Sequence, residues 1–484
     1  MKKWQKAMLG VASVASLALL MAGCGNKKSS TGDTKDGVTT LTVYQVGDKP
    51  KNYDQLMAKA NKVFEKEINA KLKFNYIGWG DFSQKMTVMV SSGDDYDIAR
   101  ADNYAINAQK GAYTDLTKLL PKYASKAYKD LDDAYIKGNT IDGKLYAMPV
   151  QGNVYANANI AFNKHFLEKY NLDIKDVKTY QDLEPLLKAV HAGEKSTVAL
   201  AMGKGFHVES NFDYVSGNGL PFAVDLEGDG TKIVNQYDSP RMLKNLNTIH
   251  DYYQKGYIAQ DAASASRDYP MEGNTWFARQ ETVGPYDYGN QALNNSAGGD
   301  KIEVAAITDD FKTTSQAQMS NWVVGNNSKH KELAVKALGL LNSNPEILNG
   351  LVWGIKGENW TKTGDTTIKL TKNFDNSKRM PAWNLGNNKI LYTTSDTTEE
   401  MIKDRDESIA NAKQSPILGF NFDSSSVKTE LSNIQNVMDK YSDSLNTGTV
   451  DPASTIKKMD AELKTAGYDK VQKEMQKQFD AWRK

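Results

Sequence analysis

Apolar residues follow two alternating spacings in the chain from position 39 onward. Residues 39–46 and 96–99 are β-rich runs, and in residues 72–77 the apolar side chains alternate, which predicts three strands. Residues 53–68 place apolar side chains three and four positions apart, which predicts a helix, and residues 82–90 predict another. Strands that alternate with helices favour an α/β region with a largely parallel sheet.

A second region of the same kind begins near Asn153. Its predicted strands are residues 154–162 and 197–202, and its predicted helices are 164–170 and 180–191. Further along the chain, residues 304–307 and 322–324 predict strands, and residues 329–341 and 345–353 predict the two helices that follow them. Further helices are predicted at residues 397–412, 427–441, 451–466 and 468–482. The pattern therefore predicts two α/β regions and a helical C-terminal region.

The first residues have the zones of a secretion signal. Lys2, Lys3 and Lys6 form a positive stretch, and residues 7–20 form an apolar stretch that is too short to span a bilayer comfortably. The sequence therefore predicts export across a membrane.

Residues 20–24, Leu-Met-Ala-Gly-Cys, resemble the lipobox of bacterial lipoproteins, with Met21 where the family usually has Leu. The resemblance implies that residues 1–23 are a lipoprotein signal peptide and that Cys24, the single cysteine, receives a lipid. The alternative is an ordinary signal peptide with a chance cysteine. Residues 24–38 are polar and predict a flexible tether.

Charge, length and cysteine content limit what the protein can be. The net charge is +1, and it falls to −2 once the three signal lysines are removed, so no basic excess points to nucleic acid. The length predicts two or more lobes, because single cores stop growing at about 250–300 residues. A lipidated Cys24 leaves no thiol for a disulfide, and the lipid is the only membrane contact that we expect.

Four segments resemble motifs of the solute-binding proteins of ABC importers. They are residues 142–149 (DGKLYAMP), 161–166 (AFNKHF), 276–283 (WFARQETV) and 327–334 (NSKHKELA). Their order and spacing match from about residue 39 to residue 355.

Three further segments resemble one subfamily, the large lipoprotein receptors for complex sugars of Gram-positive bacteria. They are residues 353–360, 381–387 and 419–423. Lys356 stands where the subfamily has Glu, so a role for that carboxylate does not transfer to this chain.

The resemblance implies an α/β, two-lobed periplasmic-binding-protein-like fold of type II, with an interlobe cleft and a helical C-terminal extension. We expect lobe 1 to comprise residues 39–150 and 305–355, and lobe 2 to comprise residues 151–304 and 356–484 with the helical region. Such receptors close on a solute by hinge motion and deliver it to a membrane permease without chemistry. We therefore expect a monomeric receptor without cofactor or metal, held on the extracellular face of the cell membrane by its lipid.

A sugar site needs flat aromatic platforms for the C–H face of the ring, and carboxylates, amides or Arg for the hydroxyls. Ligands of open α/β sheets bind beyond the carboxyl ends of strands, so we expect the site there. Trp79 is the strongest candidate because Gly78 and Gly80 leave it little local cover. The candidate ligand-binding residues are Tyr44, Trp79, Asp102, Asn103, Tyr155, Tyr286, Asp287, Tyr288 and Trp353.

Core packing or loop support is the alternative role for each of these side chains. Trp276 lies beside Phe277, and Trp322 lies within an apolar strand, so we expect both to be core residues. We expect Trp482 to cover the last helix.

Residues 225–230 (DLEGDG) resemble the start of a calcium loop. The twelfth position is Gln236 instead of a bidentate Glu, so a polar hairpin turn is the better interpretation. The five histidines show no paired spacing typical of a metal site.

The sequence therefore predicts a carbohydrate receptor of an ABC importer, with an oligosaccharide as ligand. A receptor for peptides or another solute class is the alternative, because fold constrains mechanism more than ligand. An anchored glycosidase is a third hypothesis, for which a carboxylate pair about 5–10 Å apart in a cleft is required. Host N-glycan fragments and plant or fructan oligosaccharides all stay open as ligands.

Overall fold

A computed structural model describes residues 34–35, 37–94, 96–266, 269–297 and 301–484. The predicted signal peptide (residues 1–23), the predicted lipidation of Cys24 and most of the predicted tether lie outside the described residues. Within the described ranges, no helix is both long and apolar enough to cross a membrane.

The described chain forms twenty strands, seventeen α-helices and several short 3₁₀ turns. The strands are β1 (Thr34–Lys35), β2 (Val38–Val46), β3 (Ala70–Ile77), β4 (Ile98–Arg100), β5 (Thr140–Ile141), β6 (Lys144–Leu145), β7 (Ala147–Pro149), β8 (Asn157–Asn163), β9 (Val198–Ala201), β10 (Phe212–Tyr214), β11 (Phe222–Asp225), β12 (Ile233–Asn235), β13 (Trp276–Val283), β14 (Ile302–Ala306), β15 (Phe311–Lys312), β16 (Asn321–Val324), β17 (Trp360–Lys362), β18 (Thr367–Leu370), β19 (Thr393–Thr394) and β20 (Lys413–Gln414). The helices are α1 (Tyr53–Ile68), α2 (Trp79–Ser92), α3 (Tyr104–Gln109), α4 (Leu119–Tyr123), α5 (Ser125–Lys129), α6 (Asp133–Asn139), α7 (Lys164–Lys169), α8 (Glu184–Gly193), α9 (Pro240–Gln254), α10 (Gln291–Ser296), α11 (Thr314–Gln318), α12 (Lys331–Ser343), α13 (Pro345–Val352), α14 (Glu399–Asn411), α15 (Lys428–Asn446), α16 (Pro452–Ala466) and α17 (Tyr468–Trp482).

The first sheet has the order β1-β2-β4-β16-β7, and β3 pairs with β2. β2 is parallel to β3 and β4, whereas β16 is antiparallel to both β4 and β7. The alternation in β3 buries Leu72 and Phe74 against the apolar face of α1, as the sequence predicts for both elements. The carboxyl ends of the parallel strands therefore share one edge, where ligand sites of such sheets lie.

The second sheet has the order β14-β8-β13-β9. β13 is parallel to β9 and antiparallel to β8, which is also antiparallel to β14. β8 begins three residues later than predicted, because residues 150–156 connect the two sheets instead of extending the strand.

Three segments lie together between the sheets. One is residues 150–156, and a second contains β15, whose Lys312 forms an isolated bridge with Tyr155. The third contains β20, which pairs in parallel with β15. Lys312 is buried and forms an ion pair with Asp132 at 2.7 Å, so the connection is held by a charge pair as well as by backbone hydrogen bonds.

The sequence-based division assigns residues 356–484 to the second lobe. In the structure, parts of this segment pack in each of the two cores. Met380 and Leu385 are buried in the core beneath the first sheet, and Ile409 packs against that core from α14. α15, α16 and α17 pack in the core of the second sheet. The division depends on contacts between segments distant in the chain, and the local apolar pattern does not contain them.

Two smaller boundaries also differ from expectation. β14 lies wholly in the second sheet, so residues 305 and 306 belong there and not to lobe 1. β1 pairs with the start of β2 across Gly37, so the predicted tether ends in a short hairpin.

Candidate functional site

Trp79 lies at the carboxyl end of β3, as the sequence predicts for a ligand-binding residue. β3 ends at Ile77, Gly78 is extended, and Trp79 opens α2 with 63% of its surface exposed. Its indole stacks on Trp383, which is 40% exposed, with ring centroids 5.9 Å apart and planes 20° apart. Gly47 lies beside this indole, since a Cβ there would be in van der Waals contact with Trp79 Nε1 at 3.5 Å. Two exposed indoles thus form one apolar platform at the edge of the first sheet.

Trp383 was missed as a site residue. It lies in a 3₁₀ turn, and no strand end or glycine flank marks it in the sequence. Only the fold brings it to Trp79, and the one signal in the sequence is the resemblance of residues 381–387 to the complex-sugar receptors.

The segment after Trp383 continues toward the connection between the sheets. The Asn384 carbonyl accepts a hydrogen bond from Gln45 Nε2 at 3.2 Å, at the end of β2. The Asn388 N–H donates to the Gln151 carbonyl at 2.8 Å. Residues 384–388 therefore link the Trp79–Trp383 platform to the connecting segment at residue 151.

Three carboxamides in this region have buried oxygens with no donor among the described residues. They are Asn384 Oδ1, Asn388 Oδ1 and Gln151 Oε1. These oxygens are closed off from solvent, so we do not assign them to contact with a ligand in this arrangement.

The turn at residues 284–288 follows β13 at the corresponding edge of the second sheet. Asn153 of the connecting segment holds it: Asn153 Nδ2 donates to the Asp287 carboxylate at 3.0 Å, and the Tyr286 N–H donates to Asn153 Oδ1 at 2.8 Å. The Asp287 carboxylate also accepts from the Gly284 N–H at 2.7 Å. Burial raises the pKa of Asp287. Its carboxylate accepts hydrogen bonds from Asn153 and Gly284, so its role in this structure is to hold the turn.

Arg405 of α14 packs against both tyrosines of this turn. Its Nη1 donates to the Tyr288 hydroxyl at 2.7 Å, and its guanidinium carbon lies 5.1 Å from the Tyr286 ring centroid. Burial raises the pKa of Tyr286, so this side chain is a neutral phenol. Tyr286 and Tyr288 are both half-buried and thus retain exposed surface beside the connecting segment. Arg405 was missed because α14 lies more than one hundred residues along the chain from the turn.

Tyr44 lies on the face of the first sheet that is opposite its main core. Asp102 and Asn103 lie in the loop between β4 and α3. Tyr44 is half-buried and meets Tyr96 edge-on at 6.3 Å. Asp102 Oδ2 accepts from Asn103 Nδ2 at 2.9 Å and from Ser83 at 3.2 Å. Asn103 lines a cavity of about 460 Å³ between α2 and α3 whose lining contains neither Trp79 nor Trp383. This cavity lacks the exposed indoles, so we do not assign the ligand to it.

Tyr155 and Trp353 contact core residues instead of the platform. Tyr155 is 5% exposed, and its side chain packs in the first core within the connecting segment. Trp353 is half-buried, packs against that core and meets Phe374 at 6.2 Å. Both aromatics therefore fit the alternative that the sequence left open, packing.

The acidic loop at residues 225–230 is closed by a cation from the chain itself. Arg241 forms ion pairs of 2.8 Å with both Asp225 and Glu227, and its Nε donates to Ser210 at 2.7 Å. Over the described residues, no group of three or more His, Cys, Asp or Glu is arranged to hold a metal ion.

Comparison with known proteins identifies two matching family models. Residues 59–350 match the bacterial extracellular solute-binding protein family, and residues 416–484 match a domain of unknown function, DUF3502. A carbohydrate ABC transporter substrate-binding protein of Streptococcus pneumoniae serotype 4 (strain ATCC BAA-334 / TIGR4) is 46% identical over 492 residues, covering 100% of this chain and 99% of its own.

Two solved structures of the N-glycan transport solute binding protein NgtS from Streptococcus pneumoniae are similar, each at 47% identity. One has a TM-score of 0.89 and covers 91% of this chain and 98% of NgtS. The other, in complex with Man5GlcNAc, has a TM-score of 0.77 and covers 92% and 98%. The chain therefore belongs to the family of bacterial extracellular solute-binding proteins, with their two-lobed type II fold and a helical C-terminal region.

Proposed function

We propose that this protein captures an oligosaccharide between its lobes and delivers it to the membrane permease of an ABC importer. The observation that carries the proposal is the exposed Trp79–Trp383 stack at the carboxyl edge of the first sheet. Indole faces match the C–H face of a sugar. Tyr286 and Tyr288 supply the second wall.

The ligand class in this proposal is a mannose- and N-acetylglucosamine-containing oligosaccharide. NgtS, with 47% identity, forms a complex with Man5GlcNAc, which supports this class. A peptide receptor is less well supported, because the relative at 47% identity forms a complex with a glycan.

Closure of the lobes on the ligand is part of the proposal. The chain superposes on one NgtS structure with a TM-score of 0.89 and on NgtS in complex with Man5GlcNAc with a TM-score of 0.77. Because the sequence identity is the same in both comparisons, the difference lies in conformation. The connecting segments are the hinge in this proposal.

The lipid anchor at Cys24 keeps the receptor near its permease. Cys24→Ala should release protein that still binds ligand but supports uptake poorly, because anchoring raises the effective concentration at the membrane. Unchanged uptake by fully released protein would contradict the anchoring role.

A binding screen tests the function directly. Mannose oligosaccharides with one terminal N-acetylglucosamine, fructans, monosaccharides and short peptides are each added to purified protein, and binding is measured by calorimetry. We expect binding of the first class without release of reducing sugar. Release of reducing sugar that is lost on substitution of one carboxylate would support the glycosidase, and binding of peptides alone would support the peptide receptor.

A further inference from the structure

Arg405 lies in a segment that neither family model covers. The solute-binding match ends at residue 350 and the DUF3502 match begins at residue 416. Within residues 351–415, α14 presents Arg405, which is 8% exposed, to the turn at residues 284–288. We infer that Arg405 is a positioning residue that orients Tyr286 and Tyr288 for the ligand and so sets its affinity. The inference rests on the proposed function.

The hydrogen bond from Arg405 fixes what the Tyr288 hydroxyl can offer. A guanidinium has only donors, so in the 2.7 Å contact with Nη1 the Tyr288 oxygen is the acceptor. The phenolic hydrogen therefore points away from Arg405. Tyr288 is left as a hydrogen-bond donor, suited to a ring oxygen, a hydroxyl oxygen or the carbonyl of an acetamido group.

The guanidinium also fixes the two rings relative to each other. Its carbon lies 5.1 Å from the Tyr286 centroid and 5.7 Å from the Tyr288 centroid, so one cation contacts both aromatic rings. Asp406 Oδ1 accepts from Arg405 Nε at 2.9 Å and from Nη2 at 2.8 Å, which holds the fork in place. Tyr288 has a φ of 50°, a conformation that few non-glycine residues adopt without support.

α14 contacts the first core as well as the turn. Ile409 and Ala412 pack against the first core, while Tyr286 and Tyr288 follow a strand of the second sheet. The Arg405 side chain contacts the two tyrosines and Asp406. Its removal should therefore disturb the turn more than either lobe.

The test compares Arg405→Ala, Arg405→Lys and Tyr288→Phe, with Arg379→Ala as the control. Arg379 belongs to the same uncovered segment and lies over Phe374 at 5.7 Å, away from the tyrosines. Calorimetry with Man5GlcNAc gives the Kd, and thermal melting without ligand gives the fold stability of each variant.

We expect Arg405→Ala and Tyr288→Phe each to weaken binding about tenfold, a hydrogen-bond-sized loss. Arg405→Lys should recover only part of the affinity, because an ammonium lacks the planar fork. The double variant Arg405→Ala with Tyr288→Phe should bind no more weakly than Arg405→Ala alone, since the arginine acts through the tyrosine. Arg379→Ala should bind like wild type.

Several results would overturn the inference while leaving the receptor function intact. They are wild-type affinity in Arg405→Ala, full recovery in Arg405→Lys, and losses that multiply in the double variant. If Arg405→Lys lowers the melting temperature but leaves the affinity unchanged, Arg405 stabilises the fold and does not position the ligand. Failure of the wild-type protein to bind any oligosaccharide would instead reject the proposed function, and the inference with it.

Discussion

Trp79 and Trp383 stack with ring centroids 5.9 Å apart, although one follows a strand of the first sheet and the other lies in the C-terminal half of the chain. Both indoles are exposed enough to accept a further flat partner. The pair joins the solute-binding match to the uncovered segment 351–415 in a single surface.

Substituting either indole should weaken ligand binding without unfolding the protein. We expect Trp79→Ala and Trp383→Ala each to cost about 1–2 kcal/mol of binding free energy, roughly 5- to 30-fold in Kd. Thermal stability should change little because both side chains are exposed. Trp482→Ala is the control, since Trp482 is 45% exposed on α17 and packs beside Phe420. Equal loss of affinity in all three variants would argue against a specific platform.

Gly284→Ala should disrupt the second wall of the site. A Cβ at Gly284 would lie 2.3 Å from the Asn153 side chain, which holds the turn at residues 284–288. We expect weaker ligand binding and lower thermal stability. Gly350→Ala is the matched control, because its Cβ meets nothing within 4 Å and it lies in α13, where alanine stabilises by about 0.5–1 kcal/mol. Unchanged affinity in Gly284→Ala would remove the turn from the site.

Calcium should not affect the stability of this protein. Arg241 neutralises Asp225 and Glu227 in the acidic loop, so the loop already has its cation. We expect the same melting temperature with calcium and with a chelator. Arg241→Ala should destabilise by about 1–3 kcal/mol, because it leaves two carboxylates unpaired and uncovers Phe212. A chelator-dependent melting temperature in the wild-type protein would contradict this account.

Asp213 should make stability fall as the pH rises through about 6. Burial raises the pKa of Asp213 to about 6, above its value in an unfolded chain, so the folded state binds the proton more tightly. Its stabilising contribution is present below the unfolded pKa of about 4 and is lost as the pH rises through the folded pKa. Asp213→Asn should therefore be more stable than wild type at pH 7.5, and the stability difference should shrink toward pH 4. Chemical denaturation across this range measures the difference, and an Asn variant less stable than wild type at pH 7.5 would refute the prediction.

Local sequence pattern predicts much of this fold. The apolar spacing of residues 53–68 predicts α1 with its observed bounds, and the strand-end position of Trp79 predicts its exposure. Trp383 and Arg405 escape prediction because each reaches the site through contacts distant in sequence. Tyr155 and Trp353 match the pattern expected of a site residue, an aromatic side chain near a predicted strand end or connection. Core residues share this pattern, and both side chains pack in or against the first core. The assignment of all of residues 356–484 to lobe 2 fails because contacts between segments distant in the chain decide which core each segment joins.

Calorimetric titration of the wild-type protein with Man5GlcNAc, beside Trp79→Ala and Trp482→Ala, tests the central claim most directly. The account predicts saturable binding by the wild-type protein and Trp482→Ala, and clearly weaker binding by Trp79→Ala. Binding that is equal in all three proteins would contradict the assignment of the site, and absence of binding to any oligosaccharide would contradict the proposed function.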